Sequence, residues 1–144
     1  MKKILVIKND NIGDLVLSTC VFRGLKKTYP NSEITAVVSK TNRQIIEKNP
    51  YVTNILELPM PKKKINTFFN YYKIYKKIKG EKFDIGIDLR GSTLNGFLLW
   101  KSGIKKRISY IDNHPISKIF LTNPVKLNSF LTPKHITKEY RYFE

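Results

Sequence analysis

The chain has little sulfur and few metal-binding side chains, with one cysteine and two histidines among 144 residues. A single thiol excludes an internal disulfide framework and fits a reducing cytosol. No cysteine and histidine spacing typical of a zinc site is present. Nor does the sequence contain a run of about 18 apolar residues, the length that a membrane-spanning helix needs. The apolar run after Met1 is short, so we expect no secretory signal peptide.

Acidic residues are also scarce. The chain has 11 of them against 27 lysines and arginines, a formal net charge of +16. This excess favours an anionic partner, which could be nucleic acid, a phosphorylated glycolipid or an acidic membrane surface. Solvated lysines on surface helices account for part of the charge. The length and the 41% hydrophobic content suit one globular domain with a core of its own.

Glycine-rich phosphate loops are missing from the first thirty residues, which otherwise have the pattern of a ligand site. Ile4–Ile7 is an apolar, β-branched-rich run, typical of a buried strand in a parallel sheet. The polar turn 8–14 contains one glycine, so neither a dinucleotide fingerprint nor a P-loop is present. From Leu15 the spacing becomes helical and continues to Tyr29. In open α/β sheets, ligands bind at such strand-to-helix turns.

Asp14 is the candidate site residue of this turn, and two interpretations stay open. An acidic residue in the first turn of a helix complements the positive helix N-terminus or caps it. Alternatively, its carboxylate faces the cleft and acts as a general base. The preceding Gly13 permits a close backbone approach or a positive φ, and it could equally be an ordinary turn glycine.

The rest of the sequence alternates between strand and helix patterns, which predicts an α/β fold with a mostly parallel sheet of about five to seven strands and helices on both faces. The predicted strands are Ile34–Val38, Val52–Leu58, Phe83–Leu89 and Lys105–Tyr110. The predicted helices are Ser39–Asn49, Ile65–Lys79 and a segment capped by Ser92 or Thr93 that ends near Ser102, with the start of another at Lys134–Glu144. The segment Asn123–Pro133 is predicted to be irregular.

Arg90 follows the predicted strand Phe83–Leu89. If the strands are parallel, its loop emerges at the same sheet edge as the turn that carries Asp14. The arginine then presents a planar fork to a phosphate or a carboxylate. An ion pair with Asp88 or Asp14 is the equally weighted alternative.

The predicted helix Ile65–Lys79 is both aromatic and basic, and it follows the basic loop Lys62–Lys64. Its apolar positions recur at helical spacing: Phe68, Tyr72, Tyr75 and Ile78, with Phe69 beside them. The simplest interpretation is a surface helix that packs these aromatics on the sheet and solvates its lysines. The alternatives are an interfacial helix on an anionic bilayer or a single-stranded nucleic acid surface, although no RNA-binding signature supports the last.

Two stretches carry a family resemblance. They are ILVIKNDNIGDLVLSTCVFRGLKKTYP, residues 4–30, and FDIGIDLRGSTLNGFLLWKSGIKKRISY, residues 83–110. In order and spacing they resemble the N-terminal part of the heptosyltransferases, glycosyltransferase family 9. Three residues depart from the pattern: Lys8 stands where Arg is usual, Cys20 where Pro is usual, and Ser109 replaces a Gly. These departures leave the transferred sugar open.

The resemblance implies a GT-B enzyme, in which two Rossmann-like domains face each other across a cleft. Residues 1–144 would form the single acceptor-side domain, and the nucleotide-sugar domain is expected to be absent from this chain. The implied reaction is inverting transfer of heptose from ADP-heptose to the lipopolysaccharide inner core, without a metal or a cofactor bound by this domain. The resemblance assigns the role of catalytic base to Asp14, and it assigns acceptor binding to Lys8, Asn11, Gly13, Arg90 and Ser92.

The resemblance also implies the partners and the location. We expect an anionic glycolipid acceptor, no nucleic acid, and a cytoplasmic enzyme that binds peripherally to the acidic surface of the inner membrane. The charge favours a rival from another class, a non-enzymatic binding module for an anionic glycolipid, a membrane surface or nucleic acid.

Overall fold

A computed structural model of the chain describes residues 1–9, 11–58, 64–111 and 115–126. The strands are β1 Lys3–Ile7, β2 Glu33–Val38, β3 Asn54–Glu57, β4 Ile85–Asp88, β5 Lys106–Ile111 and β6 Asn123–Lys126. The α-helices are α1 Ile12–Thr28, α2 Lys40–Ile46, α3 Lys64–Glu81 and α4 Thr93–Lys101, and a 3-10 helix spans Pro115–Phe120. The helix predicted from Lys134 and most of the basic loop Lys62–Lys64 lie outside the described residues.

Within the described residues, the strands form one six-stranded sheet in the order β3-β2-β1-β4-β5-β6. Every neighbouring pair is parallel. This is the doubly wound order of Rossmann-like domains, so the predicted fold class is confirmed. The chain steps outward from β1 to β3 on one side, then returns to the centre and steps outward from β4 to β6 on the other.

Helices cover both faces of the sheet because successive side chains of a strand point to opposite faces. On one face, α1 and α2 place Leu15, Phe22 and Ile46 in a cluster with Ile4 and Ile34. On the other face, α3 and α4 pack against the alternate positions of the same strands. The second cluster includes Leu5, Ile7, Ile74, Ile78, Leu98 and Leu99.

The prediction that Asn123–Pro133 is irregular was wrong for its first four residues, which form β6; residues 127–133 lie outside the described residues. This strand pairs with β5 at the edge of the sheet, with Pro124 opposite Ser109. A proline has no N–H to donate, which is tolerated on an edge strand. The proline-containing segment therefore gave a loop signal although it forms a strand.

The packing face of α3 also differs from the prediction. Phe68 is 71% exposed, and Phe69 and Tyr72 are exposed as well, whereas Ile74 is only 3% exposed. The buried side of the helix is centred on Ile74 and Ile78. Of the predicted stripe, Ile78 is therefore in the core, whereas its aromatic members from Phe68 to Tyr72 lie beside the core. Each residue advances an α-helix by about 100°, and this offset leaves large aromatic side chains outside the core.

Candidate functional site

The candidate site lies at the carboxyl ends of β1 and β4, where the sheet order reverses. These two strands are direct neighbours, but the segments that follow them lead to opposite faces of the sheet. Their loops consequently separate above the sheet and leave a crevice, which is the usual ligand position of open α/β folds. Lys8 and Asn9 follow β1, and Leu89 to Ser92 follow β4.

Asp88, the last residue of β4, organises the loop that follows it. The side chain is fully buried. One carboxylate oxygen, Oδ1, accepts hydrogen bonds from the backbone N–H of Arg90 at 3.0 Å and from Asn95 Nδ2 at 2.9 Å. The other, Oδ2, accepts from the Ser92 N–H at 3.0 Å and from Ser109 Oγ at 3.2 Å. These four donors lie in the loop after β4, in α4 and in β5. Together they fix the course of the loop.

The polar network continues from Asn95 toward α3. Asn95 Nδ2 also lies 3.4 Å from Asn9 Oδ1, and its Oδ1 accepts a 2.9 Å hydrogen bond from the Tyr71 hydroxyl. Asn9 Nδ2 in turn donates to the Tyr71 oxygen at 3.4 Å. These contacts join the loops after β1 and β4 to both helices of one sheet face. A connected set of this kind holds its members in one arrangement because each lost bond would leave a buried polar atom unpaired.

Burial shifts the ionisation of two members of this network. It raises the pKa of Asp88 from 3.8 to about 6, although the hydrogen bonds from Asn95, Arg90, Ser109 and Ser92 oppose the rise. Burial also raises the pKa of the Tyr71 phenol, against the opposing hydrogen bond from Asn9 and the nearby charge of Arg90. The Tyr71 hydroxyl therefore remains protonated at neutral pH and can keep donating to Asn95.

Lys8, a predicted acceptor-binding residue, is 2% exposed. Its Nζ donates to the Leu89 carbonyl oxygen at 3.2 Å, and its backbone N–H donates to the Val37 carbonyl. The lysine thus connects the end of β1 to the loop after β4. In this structure it contacts the loop that would face the acceptor, and its direct contact with an acceptor stays a prediction.

Asp14 lies in the first turn of α1, which begins at Ile12, three residues earlier than its apolar spacing indicated. Asn11 is the N-cap residue and is exposed, but its side chain makes no capping hydrogen bond. Gly13 is helical, and an added Cβ there would meet no atom within 4 Å. Neither a positive φ nor close packing against the rest of the protein therefore requires a glycine at position 13.

The Asp14 side chain is half-buried, and within the described part of the chain its carboxylate has no hydrogen-bond or ion-pair partner. Its backbone carbonyl accepts a 2.6 Å hydrogen bond from Ser18 Oγ. The position agrees with the helix N-terminus interpretation, since the carboxylate lies at the positive end of α1. The carboxylate is also partly exposed, so the general-base interpretation stays open.

Arg90 and Ser92 flank Gly91 in the loop after β4. The Arg90 side chain is exposed, and its guanidinium forms no ion pair with Asp88 or Asp14 among the described residues; Arg90 contacts Asp88 through its backbone N–H. Ser92 occupies the N-cap position of α4 as predicted, but its side chain makes no capping hydrogen bond. Gly91 has φ +74°, and a Cβ there would lie 2.6 Å from the Tyr110 ring.

The predicted site residues lie in the two loops beside the switch point and in the first turn of α1. From the sequence, Asp88 was considered only as a possible ion-pair partner of Arg90 at the end of a strand, and Asn9, Tyr71 and Asn95 were missed. An aspartate that ends an apolar strand and precedes an Arg-Gly-Ser turn was the available signal, since aspartate side chains accept hydrogen bonds from the N–H groups of following residues. The partners lie 62 and 86 residues apart along the chain, so no local pattern indicated them.

The described part of the chain contains no group of three or more His, Cys, Asp or Glu side chains placed to hold a metal ion. None of its helices combines the length and hydrophobicity needed to cross a bilayer.

Comparison with known proteins identifies sequence relatives. No family model matches the sequence. The chain is 35% identical over 109 residues, 76% of its length, to a Haemophilus influenzae protein named "Putative glycosyltransferase". It is 24% identical over 103 residues, 71% of its length, to the Escherichia coli protein "Lipopolysaccharide heptosyltransferase 3". In both cases the match spans 30% of the relative.

Solved structures share the fold. The structure of a glycosyltransferase family 9 protein from Veillonella parvula matches 99% of this chain and 40% of its own, with a TM-score of 0.86 and 24% sequence identity. The structure of E. coli ADP-heptose lipopolysaccharide heptosyltransferase II matches 89% of this chain and 35% of its own, with a TM-score of 0.73 and 22% identity.

The fold and the position of the candidate site define the class of this chain. It is a Rossmann-like α/β domain of the kind found in GT-B glycosyltransferases. Within that class, the chain is similar to the heptosyltransferases of glycosyltransferase family 9, and the resemblance predicted from residues 4–30 and 83–110 is confirmed.

Proposed function

We propose that this chain is the acceptor-side domain of a heptosyltransferase-like, inverting glycosyltransferase that acts in the synthesis of lipopolysaccharide or a related surface glycan. The observation that carries the proposal is the similarity to a lipopolysaccharide heptosyltransferase and to a second glycosyltransferase, over about three quarters of this chain. The enzyme would work in the cytoplasm, with an anionic glycolipid as acceptor. The nucleotide-sugar donor, ADP-heptose by the same resemblance, would bind a second domain.

In this proposal the Asp14 carboxylate takes the proton of an acceptor hydroxyl. The freed oxygen attacks the anomeric carbon from the face opposite the nucleoside diphosphate, and the bond from that carbon to the diphosphate breaks. The electron pair leaves with the diphosphate, and the configuration at the carbon inverts. Asp14 suits this role because its carboxylate has no partner within the described residues and lies at a crevice.

The loop after β4 would bind the anionic acceptor. The exposed Arg90 guanidinium offers a planar fork for a phosphate or carboxylate, and Ser92 and the exposed Asn11 add polar groups at the rim. Gly13 leaves open space beside Asp14 for the reacting sugar. Lys8 would act mainly through its hydrogen bond to the Leu89 carbonyl, which supports this loop from below.

The test is Asp14→Asn in a form of the protein that includes a nucleotide-sugar-binding domain. We expect kcat to fall by roughly 100-fold or more, the scale of a lost general base, while the far-UV circular dichroism spectrum stays unchanged. Asp84→Asn is the matched control because it removes an exposed carboxylate at the opposite end of β4. Normal turnover of Asp14→Asn would remove Asp14 from the mechanism.

The rival proposal, a binding module without activity, is favoured by the net charge of +16. Assays of acceptor binding and of sugar transfer with the unsubstituted two-domain protein separate the two. A protein that binds phosphorylated inner-core oligosaccharide but transfers no sugar from any nucleotide-sugar donor would support the binding module and contradict the enzyme.

A further inference from the structure

A continuous apolar surface lies on the side of the molecule formed by α3 and α4. We call it the aromatic face and define it by Phe68, Phe69 and Tyr72 of α3 and Leu94, Phe97 and Trp100 of α4. All six side chains are exposed by 40% or more of their surface. Exposed apolar residues scattered singly are normal, but a contiguous patch of large ones marks an interaction surface.

The rings of the aromatic face stack along each helix. Phe68 stacks on Tyr72 with ring centroids 6.5 Å apart, and Phe97 lies 5.8 Å from Trp100. Between the two helices runs a groove of about 520 Å³ lined almost wholly by apolar side chains. Phe120 of the 3-10 helix packs edge-on against Phe97 and extends the surface toward the exposed Ile116 and Ile119.

Lysines border this surface, and among the described residues of its three helices the one acid is the last residue of α3. Lys76 lies over the Tyr72 ring at 4.9 Å and Lys79 over the Tyr75 ring at 5.6 Å, while Lys101 lines the groove. Neither α4 nor the 3-10 helix contains an acidic residue, and the acid of α3, Glu81, is its last residue and pairs with Lys3. Aromatic rings bordered by lysines are the arrangement of helices that lie in a membrane interface.

The groove leads to the candidate site. Tyr71 lines it with its ring, and its hydroxyl donates to Asn95 Oδ1, which belongs to the Asp88 network. A lipid surface against α3 and α4 would therefore lie next to the loop that carries Arg90. An acceptor sugar on a glycolipid could then enter the crevice while its lipid part stays in the bilayer.

We propose that the aromatic face docks on an anionic lipid bilayer, with its rings in the headgroup and acyl boundary and its lysines at the lipid phosphates. The choice of a bilayer over another occupant rests on charge complementarity, because the described helices of the face carry lysines along its border and no acid except Glu81, which pairs with Lys3. The proposal rests on the proposed function, in which the acceptor is an anionic glycolipid, but its test needs neither donor nor acceptor, so either can fail alone.

Trp100 makes the test direct because it is the single tryptophan of the chain and is 46% exposed on the face. The protein is titrated with vesicles of phosphatidylglycerol and phosphatidylcholine, and with pure phosphatidylcholine vesicles, at low and high salt. We expect a blue shift of Trp100 emission, and quenching by brominated acyl chains, with the anionic vesicles only. Raising the salt should weaken the binding, since exposed charges are screened.

Charge reversal has a matched control on the opposite face of the sheet. Lys76→Glu with Lys79→Glu changes the border of the face, whereas Lys27→Glu with Lys40→Glu makes the same change in net charge at exposed positions of α1 and α2. Each lysine near an anionic surface contributes roughly a factor of five in affinity, so we expect the first pair to weaken partitioning by about 20-fold or more. The second pair should lose less than about fivefold.

The apolar contribution is tested with Phe68→Ala and Phe69→Ala together. Both side chains are exposed, so folding should be unaffected, and we expect partitioning to fall about tenfold or more. Val16→Ala with Leu17→Ala removes exposed apolar surface from α1, on the opposite face of the sheet, and should leave binding unchanged.

Four outcomes would overturn the proposal. They are equal binding to neutral vesicles, equal losses from the two lysine pairs, a lipid-independent Trp100 shift that rises with protein concentration, and tighter binding to single-stranded RNA than to anionic vesicles. The third would indicate a second copy of the chain on the face, and the fourth would indicate nucleic acid.

Discussion

Replacing Asp88 by asparagine should make the stability of the protein less dependent on pH, with a sign and size that follow from the burial of the carboxyl. The folded state raises the pKa of Asp88 from 3.8 to about 6, so the folded protein holds this proton more tightly than the unfolded chain. A carboxyl of this kind favours folding below pH 3.8, and the contribution is lost as the pH rises through 6. Since one pKa unit is about 1.36 kcal/mol, the full loss is about 3 kcal/mol.

Asp88→Asn cannot ionise, so it removes this dependence. The amide has one acceptor oxygen in place of two, and the N–H of either Arg90 or Ser92 loses its partner, at a cost of about 1–3 kcal/mol at every pH. We therefore expect the difference in unfolding free energy, wild type minus variant, to fall by about 2 kcal/mol between pH 4 and pH 7. The constant cost shifts this difference but leaves its slope unchanged.

Urea unfolding followed by far-UV circular dichroism at several pH values measures the difference directly. Asp84→Asn serves as the control for the change in net charge, because Asp84 is exposed next to the start of β4. A wild-type-minus-variant difference that stays constant from pH 4 to pH 7 would refute the inference that burial dominates the hydrogen bonds in setting the pKa of Asp88.

Two further substitutions test the loop and the network. Gly91→Ala should destabilise the fold by about 1–3 kcal/mol more than Gly103→Ala in urea unfolding, because both glycines have positive φ but only at Gly91 would the new Cβ meet the Tyr110 ring; equal losses would contradict the contact. Tyr71→Phe should cost about 1–2 kcal/mol by leaving Asn95 and Asn9 without the hydroxyl, whereas Tyr75→Phe, whose hydroxyl has no partner among the described residues, should cost little in the same assay.

Much of the fold was predictable because its signals are local. Ile4–Ile7 is apolar and β-branched, the turn after it is polar, and the helical spacing from Leu15 is continuous. Alternation of such units predicts a parallel sheet with helices on both faces, and the structure confirms it. The prediction failed at β6, where Pro124 indicates a loop although its position on an edge strand allows pairing.

The face that α3 presents to the core was not predictable from its spacing alone. The aromatic set that begins at Phe68 and the buried pair Ile74 and Ile78 both recur at helical intervals, and they are offset by only part of a turn. Which set is buried depends on the shape of the second core cluster, where Leu5 and Ile7 of β1 meet the helix. The buried set therefore depends on tertiary packing, which the spacing of one helix does not contain. For that reason the aromatic stripe was predicted to pack on the core, although most of it faces outward.

Asp88 ends β4, and Asp14 lies in the first turn of α1. The surroundings of these two carboxylates suit different roles. A pKa of about 6 would suit Asp88 to general-base chemistry by its value alone. However, Asp88 is fully buried, and each of its oxygens already accepts two hydrogen bonds, so no acceptor hydroxyl can reach it. Asp14 has the opposite surroundings, with a partly exposed carboxylate at a helix N-terminus. Reactivity therefore requires access as well as a suitable pKa, and by that criterion Asp88 holds the Arg90 loop in place, which is why the proposed general base is Asp14 and not Asp88.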